Sequence, residues 1–239
     1  MIAGMSFFNI GSMIDNKIIT EQAENLFPIS FCLFKQVPGH EGGRNQIWVC
    51  ETPNNKYVLR VSTLQDRTEE DYLAETEFIH YLAENGAPVA DVIPSSNGRL
   101  VEGLKYNDTG VFLSLFEYAP GILISDNGYR YREGVPLEEY FYNTGKTLGI
   151  IHRLSKTYKP KHQRIHYADK YNMNYINELI PDSYKQLKDA IARRLDDFKQ
   201  LSCDSENYGL VHFDFSDGNY HIDMKTGKIT VFDFDNCMN

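Results

Sequence analysis

Val211-His-Phe-Asp-Phe-Ser-Asp-Gly-Asn-Tyr-His-Ile222, continued by Asp223-Met-Lys-Thr-Gly227 and Lys228-Ile-Thr-Val-Phe-Asp-Phe-Asp235, sets two short β segments on either side of a polar turn. If Tyr220 to Ile222 and Ile229 to Phe232 pair as an antiparallel hairpin centred near Thr226, Asn219 and Asp233 sit opposite each other at its open end. A carboxylate and an amide oxygen are hard ligands. They suit Mg²⁺, which completes its shell with waters and substrate phosphates. Asp214, five residues before Asn219, reaches the same cavity from the preceding loop as a base for a hydroxyl group. Asp217 and Asp223 read as turn caps.

Outward from that stretch the second half is helical. Leu137, Tyr140, Phe141, Thr144, Leu148 and Ile151 recur at the helix period, and Pro181 can open a further helix with a stripe of Leu187, Ile191, Leu195 and Phe198. The first half reads as strands with one helix. Gln46 to Cys50 and Tyr57 to Val61 form a hairpin, and Leu113 to Tyr118 is a strand stopped by Pro120-Gly121. Thr68 with Asp71 is a capping box for a helix that ends at Asn85-Gly86. On that helix Tyr72, Glu75, Ile79 and Leu82 share one face, so Glu75 lies in the apolar stripe and needs a partner. Pro120 to Asn127 is the expected boundary between a lobe of residues 1–120 and a helical lobe of residues 121–239.

The pattern His212-x-Asp214-x-x-x-x-Asn219, followed by a hydrophobic strand and Asp233-Phe-x, resembles the catalytic and metal-binding loops of the aminoglycoside phosphotransferase and choline kinase-like group. The resemblance implies an α+β, protein-kinase-like two-lobed fold that uses ATP and Mg²⁺, with Asp214 as base, Asn219 and Asp233 as metal ligands and His212 as a structural histidine. More loosely, Gly42-Gly43-Arg44-Asn45 is similar to the phosphate-covering loop and Phe116-Glu117-Tyr118 to the adenine-binding hinge. Arg60 stands where the family's third strand carries the Lys that pairs with the helix Glu, here Glu75. Arg keeps the charge but not ammonium geometry. The chain stops six residues after Asp233, where relatives continue with helices, so it reads as a C-terminally truncated member.

The implied reaction is transfer of the γ-phosphoryl of ATP to a hydroxyl of a small molecule, such as an aminoglycoside, an amino alcohol or a homoserine-like compound. A protein Ser/Thr kinase of the same fold and a non-catalytic nucleotide-binding protein are the alternatives. The D-x-D of Asp233 and Asp235 also resembles the opening motif of haloacid dehalogenase-like hydrolases, but such a motif must precede most of its domain. Composition narrows the partners. With 24 Lys+Arg against 33 Asp+Glu in 239 residues the net charge is −9, which argues against nucleic acid as a partner. No apolar run approaches the roughly 20 residues of a membrane span. Four scattered cysteines without a C-x-x-C pair fit reduced thiols in a cytoplasm, and nothing in the pattern fixes an oligomeric state.

Overall fold

The computed structural model describes residues 14–39, 45–63, 67–106, 109–204 and 206–239. Its first half is a six-stranded antiparallel sheet made of β1 (Leu33–Gln36), β2 (Asn45–Glu51), β3 (Lys56–Thr63), β4 (Val92–Ile93), β5 (Glu102–Tyr106) and β6 (Thr109–Glu117). The order is β1-β2-β3-β6-β4, with β5 also paired to β6. The expected hairpin is present, with Trp48 opposite Leu59 and Cys50 opposite Tyr57.

Alternation along the strands divides the sheet into two faces. Trp48, Cys50, Leu59, Val61, Leu113 and Leu115 bury one face against Ile19 and Ala23 of α1 (Asn16–Leu26), a helix that the sequence reading did not anticipate. The other face turns Arg60 and Phe112 toward α2 (Glu69–Glu84), where Tyr72 lies 5.3 Å from the Phe112 ring. The capping box holds the start of α2: Thr68 N donates to Asp71 Oδ2 at 2.8 Å and Asp71 N to Thr68 Oγ1 at 3.3 Å. Gly86, at φ +80°, follows its C-cap.

The second half contains α3 (Leu137–Ser155), α4 (Tyr167–Lys170), α5 (Met173–Leu179), α6 (Lys185–Lys199) and the hairpin of β7 (Tyr220–Ile222) and β8 (Ile229–Val231). Pro181 opens a single 3-10 turn, and α6 starts only at Lys185. Its apolar stripe is not a core face. Leu187 and Phe198 are exposed while Lys188 is buried, with its ammonium 2.6 Å from Asp182 Oδ1. The helix period locates such a stripe but not what covers it.

The larger core joins the two halves. Phe78, Ile79 and Leu82 of α2 pack with Ile151 and Leu154 of α3 and with Tyr220, Ile222, Ile229 and Val231 of the hairpin. Each side chain fully buried there contributes about 1.5–3 kcal/mol. Backbone bonds fix the hairpin further, with Ala90 N donating to Val231 O and Val231 N to Pro88 O, both at 2.9 Å. Gly121, at φ +103°, presses on β7 so closely that a Cβ would stand 2.3 Å from Ile222 O. Only glycine fits there, which explains why Pro120-Gly121 ends the strand region.

Candidate active site

The β7–β8 register pairs Tyr220 with Val231. Asn219 therefore stands opposite Phe232, whose N–H donates to Asn219 O at 2.9 Å. The sequence reading put Asp233 in that position and was one residue out. Asp233 instead occupies the next place, in the left-handed region at φ 60° and ψ 62°, where the strand breaks into a 3-10 turn of Phe234–Asn236. A non-glycine residue there is uncommon and costs energy unless its surroundings hold it.

His212 is fully buried and organises the loop. Asp214 N donates to its Nδ1 at 3.3 Å, which leaves Nε2 to donate to Phe232 O at 3.0 Å. Burial lowers its pKa, so the ring is neutral and serves as a bracket between the loop and β8. Asn219 Nδ2 donates to Asp214 O at 2.8 Å. That bond engages the amide nitrogen and leaves Oδ1, the atom a hard cation requires. Asp214 itself is exposed, with Asn236 Nδ2 3.4 Å from its Oδ2.

Arg60 and Glu75 form the pair that helix geometry for Glu75 and the family resemblance for Arg60 together imply. Nη1 meets Oε1 at 2.7 Å and Nη2 meets Oε2 at 2.9 Å, with Glu75 at 0% exposure and Arg60 at 5%. Its guanidinium also lies 5.0 Å from the centre of the Phe116 ring. Burial alone would lower the guanidinium pKa, but Glu75 first, then Asp235 and Asp233, raise it above the usual value. Arg60 Nε–H is buried with no acceptor among the described residues, a deficit that a phosphate oxygen would fill.

The Asp233 carboxyl is open to water yet set deep in the protein, and this partial burial raises its pKa. Arg60 opposes the rise, whereas Asp235 and Glu75 add to it. A divalent cation would reverse this balance, because a bound charge of +2 inverts the local preference. One carboxylate and one amide oxygen, beside an Arg with an unfilled donor, fit a magnesium–phosphate group.

The remaining expected residues are spread along the sheet. Asn45 opens β2 and accepts from Ser62 Oγ at 2.7 Å. Glu117 ends β6 exposed, its N–H donating to Asp91 O at 2.8 Å, and the Tyr118 ring lies 5.6 Å from the His221 ring. In the β3 register Asn45 is opposite Ser62 and Glu117 opposite Tyr57. These positions flank Arg60 over about 17 Å of strand. Gly42 and Gly43 lie outside the described residues.

The phosphotransferase enzyme family matches over residues 35–239. This chain belongs to that family. Among curated relatives, it is 30% identical over 195 residues to the amicoumacin kinase of Bacillus subtilis (strain 168), covering 80% of this chain and 55% of that protein. The phosphotransferase-family chain thus spans about half the length of the curated relatives it matches. Among solved structures, it is similar to the amicoumacin kinase hAmiN in complex with AMP-PNP, Ca²⁺ and Ami, with TM-score 0.80 and 23% identity over 94% of this chain and 65% of that one. A microcompartment-associated aminopropanol kinase gives TM-score 0.70 at 19% identity over 93% of this chain and 70% of that one. These likenesses establish the kinase-like α+β fold.

Within this family frame, the structure adds residues that sequence reasoning missed. Arg164, from an irregular loop, donates from Nε to Cys237 O at 2.7 Å, from Nη1 to Asp71 O at 3.0 Å and from Nη2 to Asp235 O at 2.8 Å. Arg67 lies 3.4 Å from Asp235 Oδ1. Both arginines tie the turn after Asp233 to the start of α2. The hydrogen-bond partners of Arg164 are backbone carbonyls, which leave no trace in side-chain patterns, and those of Arg67 are side chains distant in sequence.

Proposed function

We propose that the chain transfers the γ-phosphoryl group of ATP to a hydroxyl group of a small molecule. One observation carries the reading: the buried Arg60–Glu75 pair acts electrostatically on Asp233, and that aspartate adjoins the residue facing Asn219 across the hairpin. Charge neutralisation and positioning, which phosphoryl transfer chiefly requires, are thereby gathered around one loop.

Asn219 Oδ1 and the Asp233 carboxylate would hold Mg²⁺. The bound ion supplies neutralisation of phosphate charge. Arg60, fixed by Glu75, directs its charge at the phosphates, and Glu117 and Tyr118 flank the adenine. Asn45 adjoins the phosphate-covering segment of Gly42 and Gly43. Asp214, exposed and oriented through its backbone by His212 and Asn219, takes the proton of the acceptor hydroxyl. As the acceptor oxygen bonds to the γ-phosphorus, the bond from that phosphorus to the bridging oxygen breaks and ADP leaves with the electron pair. Small-molecule acceptors are favoured because the similar proteins are named as kinases of amicoumacin and aminopropanol.

The test is Asp214→Asn, assayed for phosphoryl transfer against amino alcohols, aminoglycosides, homoserine and peptides. We expect transfer to fall about 10²- to 10⁴-fold, with ATP affinity nearly unchanged. Undiminished transfer in the variant would remove Asp214 from the chemistry, and transfer to peptides alone would replace the small-molecule acceptor.

A further inference from the structure

Phe213 separates the buried His212 from the exposed Asp214, and is itself 49% exposed. It takes no part in the packed cores of the described residues, whereas Phe215, two residues on, packs against one of them. Its backbone lies at φ 66°, a region a bulky residue enters only at steric cost. Strain of this kind persists where the surrounding structure enforces it, and it clusters at functional sites. A strained backbone that presents an aromatic ring to water gains little from burial in return.

The ring is nevertheless held in place. It stacks on Tyr171 with centroids 5.5 Å apart and planes 18° from parallel, and Tyr171 meets Tyr175 edge-on at 5.8 Å. Lys170 Nζ stands 5.4 Å from the centre of the Tyr171 ring. Tyr171 links α4 to α5, and Asn172 Oδ1 caps α5 by accepting from Asn174 N at 2.9 Å and Tyr175 N at 3.1 Å. The second ring of the stack therefore rests on capped helix ends, and the first is one residue from the candidate base.

We propose that Phe213, backed by Tyr171, is a stacking platform for the phosphoryl acceptor, and that the acceptor it fits carries a planar aromatic ring close to its reactive hydroxyl. This inference rests on the phosphotransferase reading. It makes Phe213 a specificity determinant: an aromatic acceptor gains an offset-stacked partner, and a wholly aliphatic one has no ring to offer.

The experiment compares aminopropanol with its phenyl counterpart, in which phenyl replaces the methyl group on the carbinol carbon. Binding to the full chain is followed by saturation-transfer NMR with a non-hydrolysable ATP analogue and Mg²⁺ present, and transfer is followed separately with ATP. The wild-type chain should bind the phenyl compound about tenfold more tightly. Phe213→Tyr should keep that ratio, and Phe213→Gly should bring it close to one. Glycine accepts the φ of this position, so the variant keeps its fold, checked by thermal unfolding. No wild-type preference for the phenyl compound, or a ratio that survives in Phe213→Gly, overturns the platform. A preference without phosphoryl transfer would uphold the platform and overturn the phosphotransferase reading; transfer to both compounds without a preference would do the reverse.

Discussion

Replacing Arg60 by alanine isolates the interaction on which the sheet and α2 agree. Both guanidinium–carboxylate bonds disappear, at 2.7 and 2.9 Å in the native pair, and Glu75 stays behind with none of its side chain in contact with water. The loss of one partner of a buried pair costs about 3–5 kcal/mol, because the remaining charge must be kept ionised without compensation or protonated. At about 2–4 °C per kcal/mol for a chain of this size, Tm should fall by about 6–20 °C. Changing both residues, Arg60→Met with Glu75→Leu, should recover much of that loss, since no charge is then stranded. The assay is thermal and urea unfolding of Arg60→Met, Glu75→Leu and their double variant, combined as a double-mutant cycle, with Arg60→Ala and ATP binding measured alongside. ATP binding should weaken in every variant that lacks Arg60, since none of these keeps the guanidinium charge. If Arg60→Ala unfolds at the wild-type temperature, or the cycle returns no coupling, the pair does not organise the site and the phosphate role assigned to Arg60 loses its basis.

The same geometry sets expectations for Asp233 and for Arg164. Partial burial raises the Asp233 carboxyl above its usual pKa of 3.8, so it still holds a proton at pH values where an ordinary Asp is ionised. Mg²⁺-dependent ATP binding should therefore weaken as pH falls through a midpoint above that value, and isothermal titration across pH should lose this dependence in Asp233→Asn. The assignment fails if the native chain binds ATP equally well with and without Mg²⁺. Arg164→Ala leaves the buried carbonyl oxygens of Cys237 and Asp235 without their donor and removes a third bond, to Asp71 O, a loss of about 2 kcal/mol or more at the usual 1–3 kcal/mol for each unsatisfied buried group. Arg164→Lys should restore only part of it in urea unfolding, because an ammonium cannot span all three; equal stability of the alanine variant and the native chain would show that the staple is idle.

Residues whose job is set by local periodicity were legible in the sequence. Thr68 and Asp71 marked a helix start because a capping box is a local bond pattern. Glu75 showed itself as a carboxylate in an apolar stripe, and the partner it required is Arg60 on the facing strand. The hairpin of Tyr220–Ile222 with Ile229–Val231 was legible as two strands joined by a turn. Its register was not, by one residue: Asn219 faces Phe232, and Asp233 leaves the strand one place later through a left-handed turn. Strand alternation cannot register such an excursion in a residue that is not glycine. The stripe of α6 was legible as a helix but not as a surface, because periodicity gives a face and not its neighbour.

The long-range ties were illegible for a deeper reason. Arg164 and Asp71 are 93 positions apart and meet through a main-chain carbonyl, and every residue except proline offers the same N–H and C=O. The side-chain alphabet therefore carries only one distant complement to Arg164, the Asp71 carboxylate 3.7 Å from its Nη1, although its bonds to the carbonyls of Cys237 and Asp235 are as short as those of the Arg60–Glu75 pair. The consequence concerns how the site is assembled. α2 supplies Glu75 to the sheet through Arg60, receives Arg164 at its first turn, and through that guanidinium also holds the carbonyls of Asp235 and Cys237, just beyond Asp233. The candidate phosphate and metal groups thus share one rigid support, and a shift of α2 would move both together. Coupling of this kind follows from a common helix as well as from the field across the site, through which Arg60 and Asp233 influence each other's charge state.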